Sequence, residues 1–464
     1  MSDGTIPTIV AGLRHGFQQG LTRPEAWRVA QLRGLRRLLT EHAADFEAAL
    51  ASDLGKSGTE AQLAEIGFVV GEIDHVLGQL AVWMKPRRVA TPLAIQPASA
   101  RIVPEPLGVV LIIAPWNYPL MLALSPLVGA LAAGDAAVVK PSELAPATSA
   151  ALARLMPDYL DRRAVAVIEG GVPETTELLA ERFDHIFYTG GGRVGRIVAR
   201  AAAEHLTPVT LELGGKSPVY VDDTADPAGV AKRIAWAKFM NAGQTCVAPD
   251  YVLGSRETLR KLAVELDGAI HDLYGSAAQR NPDYGRIVNV AQFGRLVSYL
   301  GDGEIICGGE YDAESRFIAP TVLAGVSRKA PVMRDEIFGP ILPLVEVDDL
   351  SDAIGFVAGR DKPLAAYVFS DDPIARRRWT VETSSGALTF GAPILHLTVP
   401  ELPFGGVGES GYGAYHGERS FRLFSHEKAV LVKPLAPDTL GPTIMPPFTS
   451  GKDRLVRRWL GRLR

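Results

Sequence analysis

The chain has 464 residues, 47% hydrophobic and 22% charged, enough to bury the cores of two or three domains. A formal net charge of −4 and a pI near 6.2 exclude a whole-chain electrostatic case for nucleic-acid binding. Two cysteines, Cys246 and Cys307, with no Cys-x-x-Cys pair, exclude a disulfide framework and a zinc site of that kind, and suit a reducing cytoplasm.

The opening stretch "MSDGTIPTIVAGLRHGF" lacks the basic start and long apolar core of a signal peptide. Residues 22–83 repeat apolar positions at three- and four-residue spacing and read as helices. Residues 86–104, and much later 426–435 ("HEKAVLVKPL"), read as strands outside the main cores, at an oligomer edge. Leu107 to Gly134 carries no charge and is long enough to cross a bilayer, but Pro115, Pro119 and Pro126 interrupt it. A buried strand, "LGVVLII", followed by a buried helix fits this run better.

From Val109 short β-branched runs ("VVLII", "AAVVK", "VAVIEG", "HIFYTG", "VTLEL") alternate with helical stretches, the pattern of parallel βαβ units. Ligands in such sheets bind at the carboxyl ends of the strands, where Asn117, Lys140, Gly170, Thr189 and Glu212 fall. "GGGRVG" (190–195) follows "HIFYT" and spells Gly-x-Gly-x-x-Gly, with Glu212 about 20 residues on, as in a dinucleotide fingerprint with an acid on the ribose. That fingerprint ordinarily opens the first βαβ unit, whereas here it follows about the fourth strand, so a ribose role for Glu212 stays open. A second series of runs ("SPVYV", "YVLG", "EIICGG", "FIAPTVL", "ILPLVEV", "AAYVFS", "ALTF") indicates another α/β domain over about 210–400.

In "FMNAGQTCVAPD" (239–250), Val230, Ile234 and Ala237 mark a helix that Gly243 is suited to stop, placing Cys246 just past its end. A helix C-terminus raises a thiol pKa, so on this stretch alone a buried, inert cysteine is the better reading and a nucleophile the lesser one. The tail "SGKDRLVRRWLGRLR" would gather Leu455, Val456, Trp459, Leu460 and Leu463 on one helix face. It would either dock on the protein or make weak contact with an anionic membrane surface, leaving the protein cytoplasmic or peripheral to a membrane.

Five blocks, "PWNYP" (115–119), "VVKPSE" (138–143), "LELGGKSP" (211–218), "GQTCVAPDY" (243–251) and "RDEIFGPILP" (334–343), resemble the aldehyde dehydrogenase superfamily in content and order. "GGVPETTELLAERFDHIFYTG", "HLTPVTLELGGKSP" and "LPFGGVGESGYGAYHGERSFRLFSH" resemble its class 3 branch, which handles medium- and long-chain aliphatic and aromatic aldehydes. The resemblance implies an α/β aldehyde dehydrogenase-like fold. Its Rossmann-like NAD(P)-binding domain would span 1–85 and 105–209, with a return over 401–425, and its α/β catalytic domain 210–400. The strands at 86–104 and 426–435 would form a small bridging β element, with 436–464 as the C-terminal tail.

By the same resemblance Cys246 attacks the aldehyde, Asn117 and the Cys246 backbone N–H hold the oxyanion, and Glu212 is the general base that hydrolyses the thioester. Lys140 and Glu143 match positions on the adenosine ribose, Gly190, Gly191 and Gly195 the pyrophosphate loop, Glu336 the nicotinamide ribose, and Phe338 a packing position beside the nicotinamide. The cofactor is NAD or NADP, no metal is implied, and a homodimer is expected. Two positions depart from the family pattern: Gly191 stands where a serine is usual, and Gly391, in "ALTFGAP", where asparagine is common. Cys307 and the histidines His185, His396, His416 and His426 receive no chemical role. A CoA-acylating relative would not need Glu212, and a non-catalytic protein on the same fold would not need Cys246, Glu212 and Asn117 together.

Overall fold

The computed structural model describes residues 4–460. Strand Val109–Ile113 is apolar throughout, and its alternate residues serve two cores. Val110 and Ile112 face the helices drawn from residues 25–83 and 121–156, while Val109, Leu111 and Ile113 pack with Ile6, Val10 and Leu13. Covered on both faces, it is the central strand of a six-stranded sheet. The order is Gly411–Tyr412, Val209–Glu212, His185–Thr189, Val109–Ile113, Ala136–Lys140, Val165–Val167, parallel except for the antiparallel Gly411–Tyr412 edge.

The chain leaves Val109–Ile113 in one direction, then returns to its other side at His185, creating the crevice where ligands of such sheets bind. This explains why the glycine loop follows the fourth strand. Gly190 and Asn117 lie beyond the two strands that flank the reversal. The charge-free run divides as its prolines suggest, into the strand and the buried helix Met121–Ala133, whose thirteen residues fall short of a bilayer's span of about 20. A second run, Gly58–Trp83, is long and apolar enough to cross a membrane; Val69, Ile73, Val76 and Leu80 pack in the main core.

The second sheet has seven strands, in the order Glu304–Cys307, Thr321–Ala324, Ile341–Glu346, Tyr251–Gly254, Pro218–Val221, Ala365–Phe369, Ala387–Phe390, parallel except for Glu304–Cys307. "FIAPTVL" is two strands rather than one. Pro320 lacks an N–H for the ladder, and Phe317–Ile318 instead forms a small hairpin with Tyr311–Asp312. The segments carrying Lys216, Cys246 and Glu336 lead into the amino ends of strands 218–221, 251–254 and 341–346. The site therefore lies where the carboxyl edge of the first sheet faces the amino edge of the second.

Strands Arg87–Val89, Ser99–Pro106 and Ser425–Val432 make a separate antiparallel sheet, with His426 opposite Glu105 and Val432 opposite Ser99. The tail forms the helix Ser450–Leu460, with Leu455 and Val456 exposed and Lys452 Nζ bonded to the carbonyls of Gly441 and Met445. Leu463 lies outside the described residues.

Candidate active site between the two sheets

The helix before Cys246 runs from Pro227 to Phe239 and stops earlier than Gly243. Met240 turns extended, and Asn241, Ala242 and Gly243 follow at φ of 53°, 51° and 74°, so the chain makes a left-handed turn that no helix can continue. Cys246 is thus held in a loop and not at the helix terminus, which corrects the sequence reading of its surroundings. Gly243 is required there: a Cβ would sit 2.2 Å from the Gly339 carbonyl oxygen. Asn117 donates from Nδ2 to the Gln244 carbonyl at 3.1 Å, and Tyr367 donates from Oη to the Val247 carbonyl at 2.5 Å, pinning both sides of the cysteine.

Burial pushes the Cys246 thiol up to about 12, and the charges of Glu336 and Glu212 add to the rise. The backbone N–H groups of Cys246 and Val247 point at its sulfur and act the other way. Glu212 is 2% exposed, and neither of its carboxyl oxygens has a hydrogen-bond partner. Burial raises its pKa well above the carboxylate range. A buried carboxyl group with no protein hydrogen-bond partner, whose charge acts on a thiol, is the arrangement expected of a reactive site and a poor one for structural support.

Glu336 is also buried, and burial raises it to about 8 despite the Gly215 N–H that bonds its carboxylate. Its Oε2 lies 1.9 Å from where a Cβ on Gly214 would stand. That close approach is the physical reason for the first glycine of the pair in "LELGGKSP"; at the second, Gly215, a Cβ would meet the Pro363 backbone at 3.1 Å. Phe338, at φ 50°, packs edge-on against Trp116 at 5.3 Å and so joins two of the sequence blocks.

Sequence reasoning missed what holds Glu336. Lys216 pairs with Asp250 and donates to the carbonyls of Val332 and Asp335 at 2.8 Å, while Asp250 Oδ1 accepts from the Ile337 N–H at 2.9 Å. Both residues lie inside the quoted blocks, but their pairing depends on the topology of the second sheet. Lys238, buried without a hydrogen-bond partner, is lowered by burial to about 8.

A cavity of about 690 Å³ opens beside these residues, lined among others by Gly191, Gly192, Gly214, Lys216, Glu336 and Lys362. Helix Gly192–Glu204 begins there with no side-chain cap, so its first N–H groups, with Lys362 on the cavity wall, offer an anion site suited to a pyrophosphate, while the Lys216 ammonium is engaged by Asp250 and two carbonyls. A Cβ on Gly195 would meet Leu213 at 2.9 Å, the close helix-to-strand packing such a loop needs, while one on Gly191 meets nothing within 4 Å. Gly190 donates its N–H to the Glu212 carbonyl at 3.0 Å, which ties the loop to the next strand. Lys140 and Glu143 pair at 3.0 Å on the far side of the crevice, outside this cavity. These residues fit a dinucleotide.

Cys307 sits on a sheet-edge strand, pushed by burial to about 11, and touches none of this. Gly391 adopts φ 72°, a conformation that glycine and asparagine share, and its carbonyl accepts from Arg233 at 2.5 Å. His185 bonds Thr210 at 3.0 Å, and His396 and His416 stack on either face of Phe404.

Residues 7–430 match the model of the aldehyde dehydrogenase family. Human aldehyde dehydrogenase family 3 member B1 is 50% identical over 444 residues, covering 96% of this chain and 95% of that protein. The rat aldehyde dehydrogenase described as dimeric and NADP-preferring is 48% identical over 431 residues, covering 93% and 95% respectively. The structure of Staphylococcus aureus AldH in a substrate-bound state superposes with a TM-score of 0.96 at 41% identity, covering 98% of this chain and all of that one. The chain belongs to the aldehyde dehydrogenase family, on its class 3-like side, and is an NAD- or NADP-dependent oxidoreductase that converts aldehydes to carboxylates.

Proposed function

We propose that Cys246 is the nucleophile of this oxidation and Glu212 its general base. The observation that carries the reading is the buried Glu212 carboxyl, which has no hydrogen-bond partner among the described residues and whose charge acts on the Cys246 thiol. Once ionised, Glu212 is a strong base because burial favours its protonated form. It takes the thiol proton, directly or through a water, and the thiolate sulfur bonds the aldehyde carbon. The carbonyl oxygen becomes an oxyanion held by the Cys246 backbone N–H and by the second N–H of the Asn117 carboxamide, the first being engaged by Gln244.

When bound, the dinucleotide supplies the hydride acceptor that converts this thiohemiacetal to a thioester. Gly190, Gly191 and Gly195 would hold its pyrophosphate, Lys140 and Glu143 the adenosine ribose, Glu336 the nicotinamide ribose, and Phe338 would pack beside the nicotinamide. Turned toward that ribose, the Glu143 carboxylate would disfavour a 2′-phosphate. Glu212, having passed the thiol proton on to solvent, then takes a proton from water, whose oxygen bonds the acyl carbon as the C–S bond breaks and the Cys246 sulfur departs as thiolate. Transfer of the acyl group to CoA would leave this base without a task, which favours hydrolysis.

The substrates are medium- or long-chain aliphatic or aromatic aldehydes, and the assembly is a homodimer built on the edge strand Ser425–Val432. Contact with a membrane surface is the weaker part of the proposal, since Lys452 of the tail is already bonded to neighbouring carbonyls.

The test is a stopped-flow trace of NADH formation from excess octanal, wild type against Glu212→Gln. A single turnover of NADH followed by a stall is expected. Normal steady-state turnover with only a raised KM for NAD+ would make Glu212 a ribose ligand and overturn the reading.

A further inference from the structure

Lys56 follows the end of helix Ala43–Leu54, and its side chain has no exposure to solvent. Its Nζ lies 2.5 Å from Glu65 Oε1, equally buried, 2.9 Å from the backbone oxygen of Asn117, and 3.8 Å from the centre of the Tyr118 ring. Glu65 comes from a π-helical turn, Gln62–Ile66, an irregularity that often marks functional positions. Its other oxygen accepts from the backbone N–H groups of Leu120 and Met121 at 2.9 and 3.1 Å.

The same loop is tied to the cysteine loop. Tyr118 Oη bonds Thr245 Oγ1 at 2.8 Å, and Asn241 donates from Nδ2 to the carbonyls of Asn117 at 2.8 Å and Gln244 at 3.1 Å. Two donors therefore grip the Asn117 carbonyl while its carboxamide reaches toward Cys246. Stability alone is a poor reason for the pair, because two charges lose their hydration here and packed apolar residues would join these helices at least as well.

We propose that Lys56 and Glu65 are positioning residues for the oxyanion-binding carboxamide. Neither touches the reacting atoms. Lys56 fixes the Asn117 backbone, Glu65 fixes Lys56 and the backbone of Leu120 and Met121, and together they aim Nδ2 where negative charge develops. The inference rests on the oxyanion role proposed for Asn117.

The experiment is a double-variant cycle of Lys56→Met and Asn117→Ala, read both by aldehyde oxidation and by cofactor-free hydrolysis of p-nitrophenyl acetate, which passes through an oxyanion at the same cysteine. Lys56→Met is expected to lower kcat in both assays roughly 10- to 100-fold, as small misplacements of a catalytic group do. KM for NAD+ should stay within about twofold, since uniform binding of the cofactor is untouched. In the Asn117→Ala background the same change should cost almost nothing further, because the residue it acts through is gone. Equal losses in both backgrounds, or wild-type kcat in Lys56→Met, overturn the inference. Wild-type kcat in Asn117→Ala in both assays overturns the oxyanion assignment itself. Should Lys56→Met fail to fold, Glu65→Gln, which keeps an acceptor for Leu120 and Met121, is judged in the same cycle by the same criteria.

Discussion

Gly191 is the position at which this chain leaves room unused. Its φ of −75° and ψ of 146° already suit a helix N-cap, and a Cβ there meets nothing. Gly191→Ser should therefore be accepted without strain and add a hydroxyl acceptor or donor at the head of helix Gly192–Glu204. A cap gains only a few tenths of a kcal/mol over glycine. A hydrogen bond to the pyrophosphate gains about 1 kcal/mol, which would lower KM for NAD+ several-fold. Steady-state kinetics on both cofactors reads this, and an unchanged KM would mean the backbone donors alone saturate the phosphate.

At this scale the sequence was informative about residues with chemistry and silent about their supports. Cys246, Glu212 and Asn117, for which catalytic roles are proposed, are brought out by the quoted blocks and their resemblance, not by residue type alone. Lys216, Asp250, Lys56 and Glu65 look like ordinary surface charges until the fold buries them, and no period or spacing announces such pairs.

Among the elements, helix Gly67–Trp83 carries a liability. Glu72 on its buried face is held up to about 7 by burial, with both oxygens unpaired and only partial help from the Ser125 hydroxyl. Because its folded-state pKa lies above the usual 4.5, the folded chain binds this proton more tightly than the unfolded one. The stability it contributes is complete below about pH 4.5 and is lost as pH rises through about 7. Glu72→Gln should remove that slope and stabilise the protein at pH 8 by up to about 3 kcal/mol. Urea unfolding of both proteins from pH 5 to pH 8 checks it, and parallel curves would count against it.

Elements with clear punctuation were read well, such as the buried strand and helix that prolines separate within the charge-free run. The misreadings have local causes. Pro320 divides a strand that looked continuous. Asn241 and Ala242 adopt left-handed backbone ordinarily left to glycine, so the end of the helix before Cys246 could not be placed from residue types.

For the whole molecule, the cofactor cavity is lined from both sheets: Gly191 follows a strand of the first, and Glu336 leads into a strand of the second. Bound dinucleotide should therefore stabilise both together. At a concentration 100 times its Kd, mass action adds about 2.7 kcal/mol, and calorimetry should show one unfolding transition moving up by a few degrees. Two transitions with only one displaced would mean that the layers unfold independently.

The seat that Glu336 takes over Gly214 has a further consequence, for engineering and for descent. Segments more than a hundred residues apart interlock like a tongue and a slot, since any side chain at 214 would displace the Glu336 carboxylate for which a cofactor contact is proposed. Neither segment can be transplanted alone. A chimera that imports a loop shaped differently around residue 336 gains nothing from keeping Gly214, and on the proposed role of Glu336 a single change at 214 should be felt first as weakened cofactor binding and only later as lost fold.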